Sequence, residues 1–129
     1  MSLLILGDLY YGYDEITDDI RKISEYIKSH NYQVVLNLEG PITTSQKQIR
    51  KRGEHLRQSG KTIEVLKMLN VAGVMLSNNH IMDFGEDGLR ETIELLDEAE
   101  IQHSGAGRTV EECEQPSCNG RGRKELNEK

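Results

Sequence analysis

The sequence lacks a basic charge excess and a long hydrophobic run, and we expect no signal peptide from its first residues. Its 129 residues carry a formal net charge of −6, which argues against a general nucleic-acid binder because such proteins present a basic stripe. No apolar run approaches the roughly 20 residues that a membrane helix needs, and the N-terminus has no charged region preceding an apolar one. We therefore expect a single domain without a membrane segment, cytoplasmic by default.

Cysteine is also scarce, and its placement excludes a framework role. Only Cys113 and Cys118 occur, close together near the end of the chain. One such pair lacks the second half of a zinc site, so we expect neither a zinc site nor a structural disulfide. The surrounding residues 111–129 are polar and show no strand or helix period. We interpret them as a disordered tail, produced by truncation or an altered reading frame, after a domain at residues 1–110.

The apolar residues that are present form alternating strand-like runs and helical stripes. The runs lie at residues 3–6, 34–38, 71–76 and 101–103, and stripes with a spacing of three or four lie between them. This alternation predicts parallel strands joined by right-handed crossovers. We therefore predict an α/β fold, a βαβαβαβ parallel sheet with flanking helices. The continuous first run predicts a strand buried on both faces.

Polar side chains follow three successive strands of this predicted sheet. Asp8 follows the first strand, Asn37 and Glu39 end the second, and Asn79 and His80 follow the third. The carboxyl ends of parallel strands share one edge, where open α/β sheets bind their ligands. Oxygen ligands with an imidazole suit a divalent cation such as Mn²⁺, Zn²⁺, Fe²⁺ or Mg²⁺. These residues therefore predict a metal site at that edge.

Each of these residues also has a structural interpretation. Asp8 can cap a turn, Glu39 can be a solvated loop acid, and His80 alone is more often structural than catalytic. Asn78 can adopt the left-handed backbone conformation that asparagine tolerates. Asp83 can be the N-cap of the third helix, expected to begin near Glu86. The coincidence at three neighbouring strand ends favours a site.

The same residues resemble the motifs of the CapA-type domain, a family named for poly-gamma-glutamate capsule synthesis and related to the calcineurin-like metallophosphoesterases. The resemblance covers about residues 3–112. Its matching elements are Gly7-Asp8, Asn-Leu-Glu-Gly-Pro at residues 37–41, Leu-Ser-Asn-Asn-His at residues 76–80 with Asp83 and Gly85, and Gly-Ala-Gly-Arg at residues 105–108.

The resemblance implies both a fold and an activity. The family fold is a layered α/β/β/α sandwich, of which this chain would form the first half. By analogy, Asp8, Asn37, Glu39 and Asn79 would ligate divalent metal, and His80 would stabilise the reacting group or protonate the leaving oxygen. The implied function is metal-dependent hydrolysis of a phosphoester or related acidic substrate linked to capsule or poly-gamma-glutamate synthesis. Members of the family are often envelope-associated.

The chain departs from the phosphoesterase pattern. Tyr10 stands where those enzymes pair the first aspartate with a histidine, and the later half of the family domain, with its further ligands, has no counterpart here. Two or three ligands predict weak metal binding, so we expect impaired catalysis by the isolated chain. A half-sandwich would also leave a sheet face uncovered, which predicts self-association.

A cluster of positive charge interrupts the otherwise acidic sequence. It lies after the second strand and could overhang the strand ends, where Arg50, Lys51 and Arg52 would bind an acidic small molecule or polymer. The structural alternative is a solvated loop. The functional alternative to an enzyme is a non-catalytic anion- or polymer-binding module of capsule assembly. The six cations are Lys47, Arg50, Lys51, Arg52, Arg57 and Lys61.

Overall fold

A four-stranded parallel sheet and three helices make up residues 2–107, the part of the chain that the computed structural model describes. The strands lie in chain order, β1-β2-β3-β4, which confirms the predicted βαβαβαβ arrangement. The predicted tail at residues 111–129 lies outside the described residues. The elements are β1 (Ser2–Leu9), α1 (Asp18–Ser29), β2 (Tyr32–Leu38), α2 (Thr62–Met68), β3 (Val71–Met75), α3 (Gly85–Glu98) and β4 (Gln102–Ser104).

The helices cover one face of the sheet. Right-handed crossovers between strands that follow one another in order place every helix on the same side. The buried cluster accordingly joins alternate strand residues to apolar residues of the helices. Its most buried members include Val34, Leu36, Leu38, Val74 and Leu76 of the sheet region and Ile27, Val65, Leu66 and Leu96 of the helices.

The opposite face of the sheet is exposed. We call it the open face and define it by Leu3, Ile5, Val35, Asn37 and Met75. Leu3 is 59% exposed and Ile5 is 74% exposed, so the prediction that the first strand is buried on both faces is wrong. A continuous apolar run cannot distinguish a strand covered on two sides from one covered on a single side, because the distinction depends on where the crossovers run.

Helix α1 has a side-chain N-cap and one buried face. Thr17 is its N-cap, and the Thr17 hydroxyl accepts a hydrogen bond from the backbone N–H of Ile20, as threonine commonly does at this position. Of the predicted apolar stripe, Ile20 and Ile27 are buried while Ile23 is exposed. Ser24 is buried instead, and its hydroxyl donates to the carbonyl of residue 68 at 2.8 Å.

The long connection from β2 to α2 folds back so that its two ends lie side by side. It leaves the sheet at Ile42 and returns at Gln58, and these two residues form an isolated parallel bridge. We call residues 47–61 within it the basic loop. Within the described residues, no helix combines the length and apolar character required to cross a membrane.

Candidate metal and acid-base site

A bulge in β1 brings Asp8 onto the open face. Ile5 pairs with Val35, but Asp8, not Gly7, pairs with Asn37, so β1 has one extra residue between the two pairs. Side chains alternate between faces along a strand. Without the extra residue, Asp8 would point toward the helices. The bulge therefore places a carboxylate beside Asn37.

One amide joins the two acids predicted as metal ligands. Asn37 Nδ2 donates to Asp8 Oδ1 at 2.8 Å and to Glu39 Oε2 at 2.7 Å. Asp8 is exposed, whereas Asn37 and Glu39 are half-buried. We call these three residues the acid cluster. Two carboxylates converging on one small group is the arrangement in which a divalent cation is most favourable, because it would neutralise two like charges at once.

Asn78 ties the end of β2 to the turn after β3. Its Nδ2 donates to the carbonyl of Leu38 at 2.7 Å and lies 3.4 Å from Asn37 Oδ1, and its Oδ1 accepts from the backbone N–H of His80 at 3.1 Å. Asn78 does not have a positive φ, so the structural interpretation that gave it a left-handed backbone conformation is wrong. This position requires the side-chain amide, because the amide both donates to β2 and accepts from the turn after β3. Asn79 follows with an exposed side chain.

Asp83 is the centre of a second polar cluster. Its Oδ2 accepts hydrogen bonds from His80 Nδ1 and from the backbone N–H of Leu56, both at 2.7 Å, and its Oδ1 forms an ion pair with Lys51 Nζ. We call these four residues the Asp83 hub. The N-cap of α3 is Phe84, without a side-chain cap bond. The prediction that Asp83 caps this helix is therefore wrong, because its carboxylate is committed to the basic loop.

The hub fixes the charge of Asp83 and the orientation of His80. Burial alone would raise the pKa of the Asp83 carboxyl, but hydrogen bonds from Lys51, Leu56 and His80 outweigh it and hold that pKa below its ordinary value. Asp83 is thus ionised at neutral pH and acts only as an acceptor. His80 must then carry a proton on Nδ1, which leaves Nε2 as the ring nitrogen for a further partner.

Three of the six cations of the basic loop contact residues elsewhere in the protein. Lys51 belongs to the Asp83 hub, the Arg57 guanidinium lies 5.4 Å from the centre of the Phe84 ring, and Lys61 Nζ lies 3.2 Å from Glu64 Oε2. The suggestion that Arg50, Lys51 and Arg52 bind substrate stays a prediction. The cations with exposed positions elsewhere on the loop are Lys47, Arg50 and Arg52.

Residues 4–126 match the family described as bacterial capsule synthesis protein PGA_cap. The chain belongs to this family. The resemblance to a CapA-type domain is thereby confirmed.

Named relatives of this PGA_cap chain come from bacilli and mycobacteria. The capsule biosynthesis protein CapA of Bacillus anthracis is 30% identical over 105 residues, covering 79% of this chain and 25% of the relative. The PGA biosynthesis protein CapA of Bacillus subtilis is 26% identical over 121 residues, covering 88% and 32%. A probable polyglutamine synthesis accessory protein of Mycobacterium tuberculosis is 36% identical over 73 residues, covering 57% and 19%. The chain thus spans about a third or less of these relatives.

The PGA_cap chain offers oxygen donors for a cation, but few of them. Among residues 2–107, no group of three or more His, Cys, Asp or Glu side chains is placed to hold a metal ion. The acid cluster provides two carboxylates, and its amide would provide a third oxygen if Asn37 rotated to present Oδ1. This set fits a hard divalent cation in chemistry, although water would have to complete the coordination shell.

Sequence reasoning missed Gln58, which positions the strand ends of this PGA_cap chain. Gln58 is buried. Its Nε2 donates to the carbonyls of Glu39 at 2.8 Å and Gly40 at 3.2 Å, and its Oε1 accepts from the backbone N–H of Tyr11 at 2.9 Å. The ends of β1 and β2 are therefore held by one side chain. A single glutamine in a polar loop carries no local signal of this role.

Proposed function

We propose that this PGA_cap-family chain carries a divalent-metal-dependent hydrolase site for a phosphoester or a related acidic substrate, in capsule or poly-gamma-glutamate synthesis. The names of the relatives support the setting, since they refer to capsule, PGA and polyglutamine synthesis. The observation that carries the chemistry is the convergence of Asp8 and Glu39 on the Asn37 amide. The proposed cation is Mn²⁺, Zn²⁺, Fe²⁺ or Mg²⁺, and the binding measurement described below can be made with each ion.

The proposed roles follow from the two clusters. Asp8, Asn37 and Glu39 would hold the cation, with Asn79 on the adjacent turn as a further ligand, and the cation would supply Lewis-acid polarisation and an activated water. His80 would serve as general acid through a proton on Nε2, because Nδ1 is committed to Asp83 at 2.7 Å. The Asp83 carboxylate would stabilise the charged imidazole while that proton is held.

Substrate charge is the second element of the proposal. Lys51 Nζ lies 3.2 Å from His80 Nδ1, so the basic loop reaches the residue proposed as acid. The exposed cations Arg50 and Arg52 flank Lys51 in sequence and would attract an anionic group toward it. An acidic small molecule or polymer is therefore the expected substrate class.

Metal binding and hydrolysis are tested together on the purified chain. We expect titration calorimetry to show Mn²⁺ binding that the double variant Asp8→Asn/Glu39→Gln abolishes, while Glu98→Gln, which removes an exposed carboxylate near the end of α3, leaves it unchanged. Because few ligands are available, binding should be weak and turnover of p-nitrophenyl phosphate or of poly-gamma-glutamate should be slow. Undiminished binding in the double variant would contradict the proposed site.

A binding module without catalysis is the second candidate. It is favoured by the exposure of Lys47, Arg50 and Arg52 on the basic loop, which suits a polyanion regardless of any chemistry at the strand ends. Under this alternative, poly-gamma-glutamate binding would survive Asp8→Asn and His80→Ala without hydrolysis. It would fall when Arg50 and Arg52 are both changed to Met.

We further propose self-association through the open face. Leu3 and Ile5 on β1 are 59% and 74% exposed, and Met75, two strands away on β3, is 46% exposed on the same face. A second copy of the chain would cover this apolar surface. Light scattering after size-exclusion chromatography should show a dimer that Ile5→Lys returns to a monomer, whereas Lys67→Met should not affect it. A monomeric wild-type chain would contradict this proposal.

A further inference from the structure

The side chain of Gln58 continues the pairing of β1 with β2 where the two strands end. At this end of the ladder the N–H of Glu39 donates to the carbonyl of Leu9 at 2.9 Å. Just beyond, Gln58 Nε2 donates to the carbonyl of Glu39 at 2.8 Å, and Gln58 Oε1 accepts from the N–H of Tyr11 at 2.9 Å. A side-chain amide offers the same kinds of donor and acceptor as a peptide unit, so Gln58 supplies the next rung.

Burial makes this rung hard to replace. Gln58 is 2% exposed, and its own N–H donates to the carbonyl of Pro41 at 2.8 Å, which fixes the backbone from which the side chain extends. Water cannot take over a lost partner at such a position without opening the chain. Removing the amide would therefore leave the carbonyl of Glu39 and the N–H of Tyr11 without their partners, and the two strand ends would separate.

The segment that carries this glutamine packs along both strand ends. We call residues 56–59 the return segment. The Ser59 N–H donates to the carbonyl of Tyr11 at 2.9 Å. Gly40 has a φ of +85°, and a Cβ built there would lie 3.2 Å from Leu56 Cβ, so glycine is needed for the close approach. The last part of the basic loop is thus continuous with the ends of β1 and β2.

The acid cluster lies directly beside the groups that Gln58 holds. Its two carboxylates come from different strands, Asp8 from β1 and Glu39 from the end of β2. Their separation therefore depends on how the two strands are joined at this end. A divalent cation accepts oxygen ligands only within a narrow range of distances, and residues that orient the ligands commonly change metal affinity without touching the ion.

We propose that Gln58 is the positioning residue of the acid cluster and that it makes cation binding there depend on the return segment of the basic loop. This inference rests on the cation site proposed above. Gln58 does not contact the ion; it sets the spacing of the carboxylates that hold it. Because coupling between two sites is reciprocal, a cation bound by Asp8 and Glu39 also holds the return segment against the strand ends.

Titration calorimetry with Mn²⁺ tests the coupling on the folded chain. Gln58→Met keeps the side-chain length and removes both amide groups, so we expect Mn²⁺ affinity to fall about tenfold or more. Thr92→Val is the matched control. Thr92 is also buried, and its hydroxyl accepts the N–H of Ile42 at 2.9 Å near the other end of the same connection. It should leave Mn²⁺ affinity unchanged, and an equal loss in both variants would overturn the inference.

A second measurement reads the acid cluster without metal. The side-chain amide protons of Asn37 bond both acids, so their NMR chemical shifts report the spacing of the cluster. We expect these resonances to move in Gln58→Met and to stay in place in Thr92→Val. Gln58→Asn, which retains an amide on a shorter side chain, provides the same test if Gln58→Met does not fold. Unchanged Asn37 resonances in a folded Gln58 variant would contradict the positioning role.

The inference and the proposed function fail in different ways. If Mn²⁺ does not bind the wild-type chain but the Asn37 resonances move in Gln58→Met and not in Thr92→Val, the positioning role stands and the cation site fails. If Mn²⁺ binds through Asp8 and Glu39 with the same affinity in Gln58→Met as in the wild type, the cation site stands and the positioning role is wrong.

Discussion

The acid cluster and the Asp83 hub both place carboxylates at the carboxyl end of the sheet, but they satisfy them differently. In the hub, one fully buried carboxylate receives an ion pair and two short hydrogen bonds. In the acid cluster, two carboxylates share one amide, and Asp8 is exposed. Within the described residues, both carboxylate oxygens of Asp83 have partners. The acid cluster has further carboxylate oxygens that could bind a cation. The first arrangement suits structure and alignment, and the second suits a cation.

Removing the hub carboxylate should have the largest effect on stability. We expect Asp83→Ala to lower the free energy of unfolding by about 3–5 kcal/mol, because it leaves Lys51 without its buried partner and the Leu56 N–H without an acceptor. Urea denaturation measures the difference. Asp87→Ala is the matched control, since its pair with Arg90 is exposed and should be worth about 1 kcal/mol or less. Equal effects of the two variants would remove the contrast.

Metal should stabilise the chain only through the acid cluster. At a Mn²⁺ concentration of about 100 times the dissociation constant, the free energy of unfolding should rise by about 2.7 kcal/mol, because the ion binds the native state. The expected rise is absent in Asp8→Asn/Glu39→Gln and retained in Glu98→Gln. Thermal denaturation with and without Mn²⁺ provides the measurement, and a rise in the double variant would contradict the assignment.

Acid should weaken the hub selectively. The pKa of Asp83 is lowered in the folded chain, so below about pH 4 the unfolded state takes up the proton first and stability is lost as the pH falls through the folded pKa. The stability difference between wild type and Asp83→Asn should therefore be full at neutral pH and should narrow below about pH 4. A constant difference in urea denaturation across that range would be inconsistent with this charge state, and Asp87→Asn provides the reference.

Without metal, the acid cluster should contribute little to stability. Asp8→Asn removes one of two neighbouring negative charges at an exposed position, so we expect a change within about 1 kcal/mol, in the stabilising direction. Urea denaturation in the presence of a chelator tests this. A loss as large as that of Asp83→Ala would mean that Asp8 is structural, as the turn-cap interpretation holds.

The sequence was sufficient for the element order but not for the surroundings of the strands. Periodicity located every described helix and strand, because this signal is local. Burial of β1 was misjudged because it depends on the side taken by all three crossovers. The β1 bulge that turns Asp8 onto the open face also could not be predicted, because it does not change the apolar pattern of the strand.

The sequence indicated which residues form the candidate site, but not which residues they contact. The polar residues at three strand ends pointed to Asp8, Asn37, Glu39 and His80, and the Asn37 amide donates hydrogen bonds to both Asp8 and Glu39. Asp83 was misread as a helix cap because its partners Lys51 and Leu56 come from a loop about 30 residues earlier in the sequence. Such contacts become visible only once the basic loop has folded back to the sheet.

The most direct test of the account is anomalous diffraction from crystals of the chain soaked in Mn²⁺. We predict a manganese peak within coordination distance of the carboxylate oxygens of both Asp8 and Glu39, with Asn37 turned to present Oδ1. A peak at other residues, with the Asn37 amide still donating to both acids at Mn²⁺ concentrations that saturate the protein, would contradict it.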